Sequence, residues 1–90
     1  MPRGTPRIRT PEGALNIVGG RVKARRNALK LTQDALCGRL ANVTEGAWIA
    51  SAAEIYKIED GRRSVHDLEI LALARALECS VAWLLLGNAD

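Results

Sequence analysis

The sequence predicts an all-α protein, built as a compact bundle of five helices. Leucine and alanine dominate its composition, and both residue types favour helix. Apolar side chains recur at spacings of three and four residues, and few β-branched runs interrupt them. A chain of 90 residues makes one domain with a modest core.

The first 16 residues are predicted to form a flexible basic arm, and residues 17–90 the folded domain. The arm holds three prolines, two glycines and three arginines, and nothing in it is periodic. Basic arms can enter the minor groove of DNA, which makes Arg3, Arg7 and Arg9 candidates for that contact. Plain disorder is the simpler interpretation of the same composition.

The first two helices are predicted from their apolar spacing and from one capping residue. Val22 and Leu29 share a face of a helix running from Val18 to Leu29. Thr32 is a good N-cap for the second helix, and Asp34 suits its first turn, where the helix dipole favours an acid. The side chains of this helix expected to face the core are Leu36, Leu40 and Val43, with Cys37 beside them.

An apolar connector is predicted between the second and third helices. Gly46 is expected to end the second helix. Residues 47–50 read Ala-Trp-Ile-Ala. We expect Trp48 and Ile49 to fold back onto the core.

The third helix carries the clearest local signal. Ser51 and Glu54 fit a capping box, in which the serine oxygen accepts from a helix amide and the glutamate accepts from the serine amide. Ile55 and Ile58 are predicted to face inward, and Gly61 to end the helix. The result is a short segment held at both ends.

Two further helices complete the bundle. The fourth is predicted to begin between Ser64 and Asp67 and to be apolar on most sides, with a narrow polar stripe at Glu69, Ala72 and Arg75. Its apolar residues are Leu68, Ile70, Leu71, Leu73, Ala74 and Leu77. A short fifth helix is predicted from Ser80 to Gly87.

Charge is distributed unevenly along the chain. Residues 1–33 hold eight basic residues and one acid, a charge of +7, whereas residues 34–90 hold five basic and nine acidic residues, a charge of −4; the sum is the formal +3. A basic first third is a candidate phosphate-facing surface. The alternative is a solubilising tail followed by ordinary helix charges.

Other classes of protein lack support in the sequence. Cys37 and Cys79 lie far apart, with no Cys-x-x-Cys or Cys/His cluster to hold a metal. The single histidine, His66, has no nucleophile partner pattern, and no phosphate-binding loop is present. We therefore predict no enzyme, no metal, no cofactor and no small-molecule substrate. Without an apolar leader or a membrane-length apolar run, we expect a cytoplasmic protein.

Several residues together resemble the phage repressor and Cro-type helix-turn-helix family. They are Arg21-Val22-Lys23 with Arg26, Leu31-Thr32-Gln33, Leu36, Leu40, Ile55, Ile58-Glu59-Asp60-Gly61, Leu71, Leu73-Ala74, Ala76-Leu77 and Leu84-Leu85. The resemblance implies a lambda-repressor-like fold, with the third helix in the major groove of duplex DNA. It implies a transcriptional regulator of strong or weak sequence specificity, repressing as a homodimer; Trp83 and Leu84–Leu86 are the apolar residues expected to support the dimer.

The resemblance also assigns residues to the DNA-binding surface. Gln33 would contact the DNA backbone, and Arg62 and Arg63 would contact phosphates from the loop after the third helix. The third helix would present Ser51, Ala52, Ala53, Glu54, Tyr56 and Lys57. Arg26 and Glu59 match positions that form a structural salt bridge in the family. For Gln33 the alternative is an exposed polar residue, and for the two arginines a solvated turn.

Three departures from the family pattern bear on function. The connection between the second and third helices is longer than usual, with Ala41 in place of the usual turn glycine. Asp60 stands where asparagine is frequent, and an acid near phosphates weakens binding. The alanine-rich third helix keeps open an alternative role, that of an antitoxin or protein-interaction module with little intrinsic affinity for DNA.

Overall fold

The structure, a computed structural model, describes residues 8–88. Within that range the regular secondary structure consists of five helices, which confirms the predicted all-α fold. They are α1 (Gly19–Ala28), α2 (Gln33–Val43), α3 (Ala52–Glu59), α4 (Asp67–Ala76) and α5 (Val81–Leu86). None of these helices has the length and apolar content that a membrane crossing requires.

Local capping defines where the helices begin. The Thr32 hydroxyl accepts a hydrogen bond from the Ala35 amide (3.0 Å), and the Ser80 hydroxyl accepts one from the Trp83 amide (2.9 Å). Each bond satisfies an amide that has no partner within its helix. At the other end of α5, Gly87 adopts φ = 75°, a left-handed conformation that glycine accepts without strain.

One hydrophobic core holds the helices together, with α2 packed against α3 and α4, α1 against α3, and α4 against α5. Its nine largest fully buried side chains come from all five helices, the residue preceding α1 and the residue following α4. They are Val18, Val22, Leu36, Leu40, Ile55, Ile58, Leu73, Leu77 and Leu84. The inward direction predicted for Ile55 and Ile58 is therefore confirmed.

The predicted arm lies partly outside the described residues, and Arg3 and Arg7 are among those not described. Its last residues contact the end of α3. The Leu15 amide donates to the Gly61 carbonyl (2.7 Å), and the Asn16 side chain donates to the carbonyls of Ile58 (3.0 Å) and Arg63 (2.8 Å). These bonds attach the last residues of the predicted arm to the bundle.

The expectation for the connector is only half right. Trp48 packs against the core, and its amide donates to the Thr44 hydroxyl at the end of α2 (3.0 Å). Ile49 does not fold back: 72% of it is exposed. The extended chain leading into α3 buries Ala50 instead, so that the side chain before it faces solvent.

The face predicted for α4 is wrong in part, since Arg75 is exposed and Leu73, Ala74 and Leu77 are buried as expected, but two residues of the predicted polar stripe do not lie at the surface. Glu69 and Ala72, assigned to the polar stripe, are buried, whereas Leu68 is 71% and Leu71 40% exposed. The physical reason is a partner for the acid, since Arg63 forms hydrogen bonds with both carboxylate oxygens of Glu69 (2.9 and 2.7 Å). A carboxylate that is paired with a cation can be buried, so the side of α4 that carries Glu69 faces the core.

Cys37 behaves as a core neighbour. It is partly buried against the hydrophobic cluster, and burial, assisted by the charge of Asp34, raises the pKa of its thiol. A raised pKa disfavours the thiolate that redox chemistry requires. The placement agrees with a packing role for this residue.

Candidate nucleic-acid interface

The capped segment that forms α3 begins with the predicted box. The Ser51 hydroxyl accepts from the Glu54 amide (3.2 Å), and the Glu54 carboxylate accepts from the Ser51 amide (3.3 Å). Gly61, with φ = 76°, follows the last turn. The capping box and the glycine thus define the two ends of the eight-residue helix. The buried side chains of Ile55 and Ile58 attach its inner side to the core.

The opposite side of α3 is open to solvent. Ala53, Tyr56 and Lys57 are exposed, and Ala52 is half-buried. Tyr56 and Lys57 follow Ala53 by three and four residues, which places these three side chains on one outward-facing side, since successive residues in a helix are rotated by about 100°. The Trp48 connector packs on the core and leaves this side free. We call Ala53, Tyr56 and Lys57 the outer face of α3.

The start of α2 lies beside this outer face. Gln33 and Tyr56 line one open groove of about 250 Å³, together with Lys23, Arg26, Glu59 and Asp60. The Gln33 side chain donates to a carboxylate oxygen of Glu59 (3.2 Å). The structure therefore brings the beginning of α2 and the outer face of α3 to the same surface.

A bidentate ion pair connects the helices that form this surface. Arg26 Nε and Nη2 donate to the two carboxylate oxygens of Glu59 (2.6 and 3.0 Å), and Arg26 Nη1 donates to the carbonyl of Leu31 (2.8 Å). The two side chains are only 11% and 4% exposed. The hydrogen bonds that Arg26 donates to the Glu59 carboxylate raise the pKa of Arg26. The pair joins α1, the turn before α2 and the last turn of α3.

Arg62 and Arg63 have different surroundings although they are adjacent. Arg62 is exposed; its Nε contacts an Asp60 carboxylate oxygen (2.7 Å), and its guanidinium lies 5.2 Å from the centre of the Tyr56 ring. Arg63 is only 26% exposed and faces Glu69 and Glu54. The structure thus brings Arg62, and not Arg63, to the outer face of α3.

Much of the basic first third serves the bundle itself. Arg21 donates to the carbonyls of Leu84 (2.8 Å) and Leu85 (3.0 Å) in α5, and Arg25 donates to those of Leu77 (2.8 Å) and Glu78 (3.2 Å) after α4. Arginine at a helix C-terminus satisfies free carbonyls and the negative end of the dipole. Lys23 remains exposed beside the α2–α3 groove. Sequence reasoning missed this capping role; its one signal was the four-residue spacing of the two arginines.

A bundle in which a capped helix presents an open face beside the start of the preceding helix is a helix-turn-helix domain. The comparisons with known proteins agree: a family model described as a helix-turn-helix domain matches residues 17–84, and the chain belongs to that family. It is similar to the P22 c2 repressor, whose crystal structure was solved with a synthetic operator. The two are 32% identical with a TM-score of 0.66, and the match covers 81% of this chain and 98% of the repressor chain. No curated protein matches the chain.

Proposed function

We propose that this protein is a transcriptional repressor that binds duplex DNA by placing the outer face of α3 in the major groove. The open outer face, lying beside Gln33 and Arg62, is the observation that carries the proposal. An α-helix fits the major groove, and flanking polar and basic side chains position it through the phosphates. A protein with this role would act in the cytoplasm.

The proposal gives each residue of the surface a role. Ala52 and Ala53 would contact thymine methyl groups, while Tyr56 and Lys57 would supply the polar contacts to base edges. Ser51 would approach the backbone at the start of α3, although its hydroxyl already serves the helix cap. The amides at the start of α2 and the side chain of Gln33 would bind a phosphate, and Arg62 would bind another.

We expect sequence discrimination to be modest. The carboxylate of Glu54 is engaged by the Ser51 amide and by Arg63 (3.2 Å), so it is not free to accept from a cytosine amino group. The polar readers are then Tyr56 and Lys57, which form fewer bidentate contacts with bases than arginine or glutamine. Sequence-dependent shape of the DNA would supply the remaining discrimination.

Selection of bound duplexes from random DNA, followed by a salt series on the selected site, tests the proposal. The logarithm of the association constant should fall linearly with the logarithm of the salt concentration between about 50 and 200 mM. Each phosphate that the protein neutralises contributes about 0.9 to the size of this slope. Lys57→Ala should weaken the selected site most, and Arg62→Ala should weaken every duplex. Arg75→Ala removes the same charge from an exposed position beside Arg39 and should change nothing. Binding that is absent at every salt concentration would overturn the proposal.

We further propose that two chains occupy each site with two-fold symmetry, the arrangement that a palindromic operator requires. The apolar C-terminal residues lend less support than their sequence implied: Leu84 is fully buried, Trp83 and Leu85 pack against the core, and Leu86 is 66% exposed. Sedimentation of the saturated complex should give two chains per duplex. A single chain per duplex at saturation would exclude the dimer.

A protein-interaction role is the second candidate, and exposed apolar side chains favour it. Ile49 and Leu68 are each more than 70% exposed, and Leu71 is 40% exposed. A contiguous exposed apolar patch marks a site of contact with another protein, and these side chains would have to form such a patch to serve this role. The same salt series separates the two functions. An interaction module without affinity for DNA releases no counterions from it and should show no salt-dependent binding.

A further inference from the structure

Arg63 has no donor free on either terminal nitrogen. Nη1 donates to Glu69 Oε1 (2.9 Å) and to the Ser64 carbonyl (2.9 Å), and Nη2 donates to Glu69 Oε2 (2.7 Å) and Glu54 Oε2 (3.2 Å). Two nitrogens carry four N–H groups, and these four acceptors account for all of them. A phosphate contact from these nitrogens would require Arg63 to give up bonds within the protein.

Of the two acids that Arg63 contacts, Glu69 is the more buried. Glu69 is only 11% exposed at its side chain, and Arg63 contacts both of its oxygens. Removing one partner of a buried pair leaves the other charge uncompensated, which is unfavourable even when the freed group gains a new contact. Arg62 breaks only an exposed pair with Asp60 when it turns to a phosphate.

Arg63 also contacts the connector that precedes α3. Its guanidinium lies 5.9 Å from the centre of the Trp48 ring, within the range of a cation–π interaction. Trp48 is in turn fixed to the end of α2 through Thr44. One guanidinium thus contacts the connector, the first turn of α3 at Glu54 and the first turn of α4 at Glu69.

We propose that Arg63 is a positioning residue, which sets the orientation of α3 on DNA and does not bind phosphate. This inference rests on the proposed function. The two adjacent arginines have different roles. Arg62 neutralises a phosphate, whereas Arg63 fixes the position of α3 relative to α4 and the connector. The longer α2–α3 connection is held through this arginine, so sequence discrimination depends on it.

The salt dependence of DNA binding distinguishes the two roles. Arg62→Ala should reduce the salt slope by about 0.9, the contribution of one phosphate, and weaken selected and random duplexes alike. Arg63→Ala should leave the slope unchanged and weaken the selected duplex by about ten-fold, with little effect on random DNA. Arg63→Lys should not rescue the selected site, because lysine cannot bind a carboxylate in a bidentate manner. A slope reduced by Arg63→Ala to the same extent as by Arg62→Ala would overturn the inference.

Glu69→Gln provides a test in which Arg63 keeps its charge. If Arg63 positions α3, this variant should lose affinity for the selected duplex as Arg63→Ala does, and the tryptophan emission of the free protein, to which Trp48 contributes, should shift in both. If Arg63 binds phosphate, releasing it from Glu69 should preserve or strengthen binding, which would also overturn the inference. Wild-type protein that shows no salt-dependent binding would instead remove the proposed function and this inference with it.

Discussion

Gly19 in the first turn of α1 lies directly against the carbonyl oxygen of Ile58 in the last turn of α3. A Cβ placed on Gly19 would overlap that oxygen and would stand 2.9 Å from the carbonyl oxygen of Glu59. Both obstacles are backbone atoms of a helix, which cannot rotate away as a side chain can. The two helices therefore meet at a point where only glycine fits.

Gly19→Ala should destabilise the fold by about 1–3 kcal/mol, the usual effect of forcing an extra carbon into a packed contact. Gly20→Ala is the matched control, since a Cβ at Gly20 has no atom within 4 Å. Gly38→Ala, equally unobstructed inside α2, should stabilise by about 0.5–1 kcal/mol. Urea unfolding measures all three. Equal stability of the Gly19 and Gly20 variants would mean that the α1–α3 contact adjusts freely.

The Arg26–Glu59 pair should be among the most sensitive positions of the chain. Arg26→Ala leaves a carboxylate only 4% exposed without its main partner, and we expect a loss of about 3–5 kcal/mol in the free energy of unfolding. In a double-mutant cycle with Glu59→Ala, the combined loss should be well below the sum of the two. The exposed pair Arg62–Asp60, treated identically, should give an interaction of about 0–1 kcal/mol. Additive losses at Arg26 and Glu59 would show that the pair is not coupled.

The helices could be predicted because their boundaries are encoded locally. Thr32, Ser51 and Ser80 each cap a helix through an amide three residues away, so the sequence alone contains both partners. Glycine after α5 and after α3 supplies the left-handed residue that ends each segment. Such short-range chemistry does not depend on how the helices later pack.

The buried face of α4 could not be predicted in this way. Its apolar residues surround the helix, so periodicity does not select a face. The selection is made by Arg63, which buries Glu69 on the core side and leaves Leu68 and Leu71 outside. A charged residue is assigned to the surface by default, and only its partner reverses that assignment.

The same limit applies to the arginines of the candidate site. A basic first third predicts a phosphate-facing surface, yet Arg21 and Arg25 cap helices more than 50 residues away. Nor does the sequence distinguish Arg62 from Arg63, since the difference arises from which acids the fold brings near each. Tertiary neighbours, absent from any local pattern, decide the role of each cation.

Acid should unfold the protein in part through Glu69. The hydrogen bonds from Arg63 hold the pKa of Glu69 below its usual value near 4.5. A carboxylate with a lowered folded pKa contributes stability above the unfolded pKa and loses it as pH falls through the folded value. The free energy of unfolding should therefore decline as the pH drops below about 4.5, and Glu69→Gln should decline less steeply. Arg63→Ala removes the cause of the pKa shift and should also make the free energy of unfolding less dependent on pH in this acidic range. If the free energy of unfolding depends on pH equally in the wild type and both variants, this account is contradicted.

Asp60 should weaken DNA binding in the wild-type protein. It lies in the groove beside Gln33 and Tyr56, where phosphates are expected, and it pairs with Arg62 at 2.7 Å. Its charge repels the DNA backbone and competes for the arginine. Asp60→Asn should therefore raise the affinity by about 0.4–1 kcal/mol, or two- to five-fold, on selected and random duplexes alike. Fluorescence polarisation with labelled duplexes measures the change.

The matched control for Asp60→Asn is Glu78→Gln. Glu78 is also an exposed acid paired with an arginine, Arg39, at 3.4 Å, but it follows α4 and lies away from the α2–α3 groove. The two substitutions change net charge equally, so a general electrostatic effect would raise affinity in both. A gain confined to Asp60→Asn would locate the phosphates at the end of α3. A loss of affinity in Asp60→Asn would show instead that Asp60 orients Arg62 for its contact with DNA.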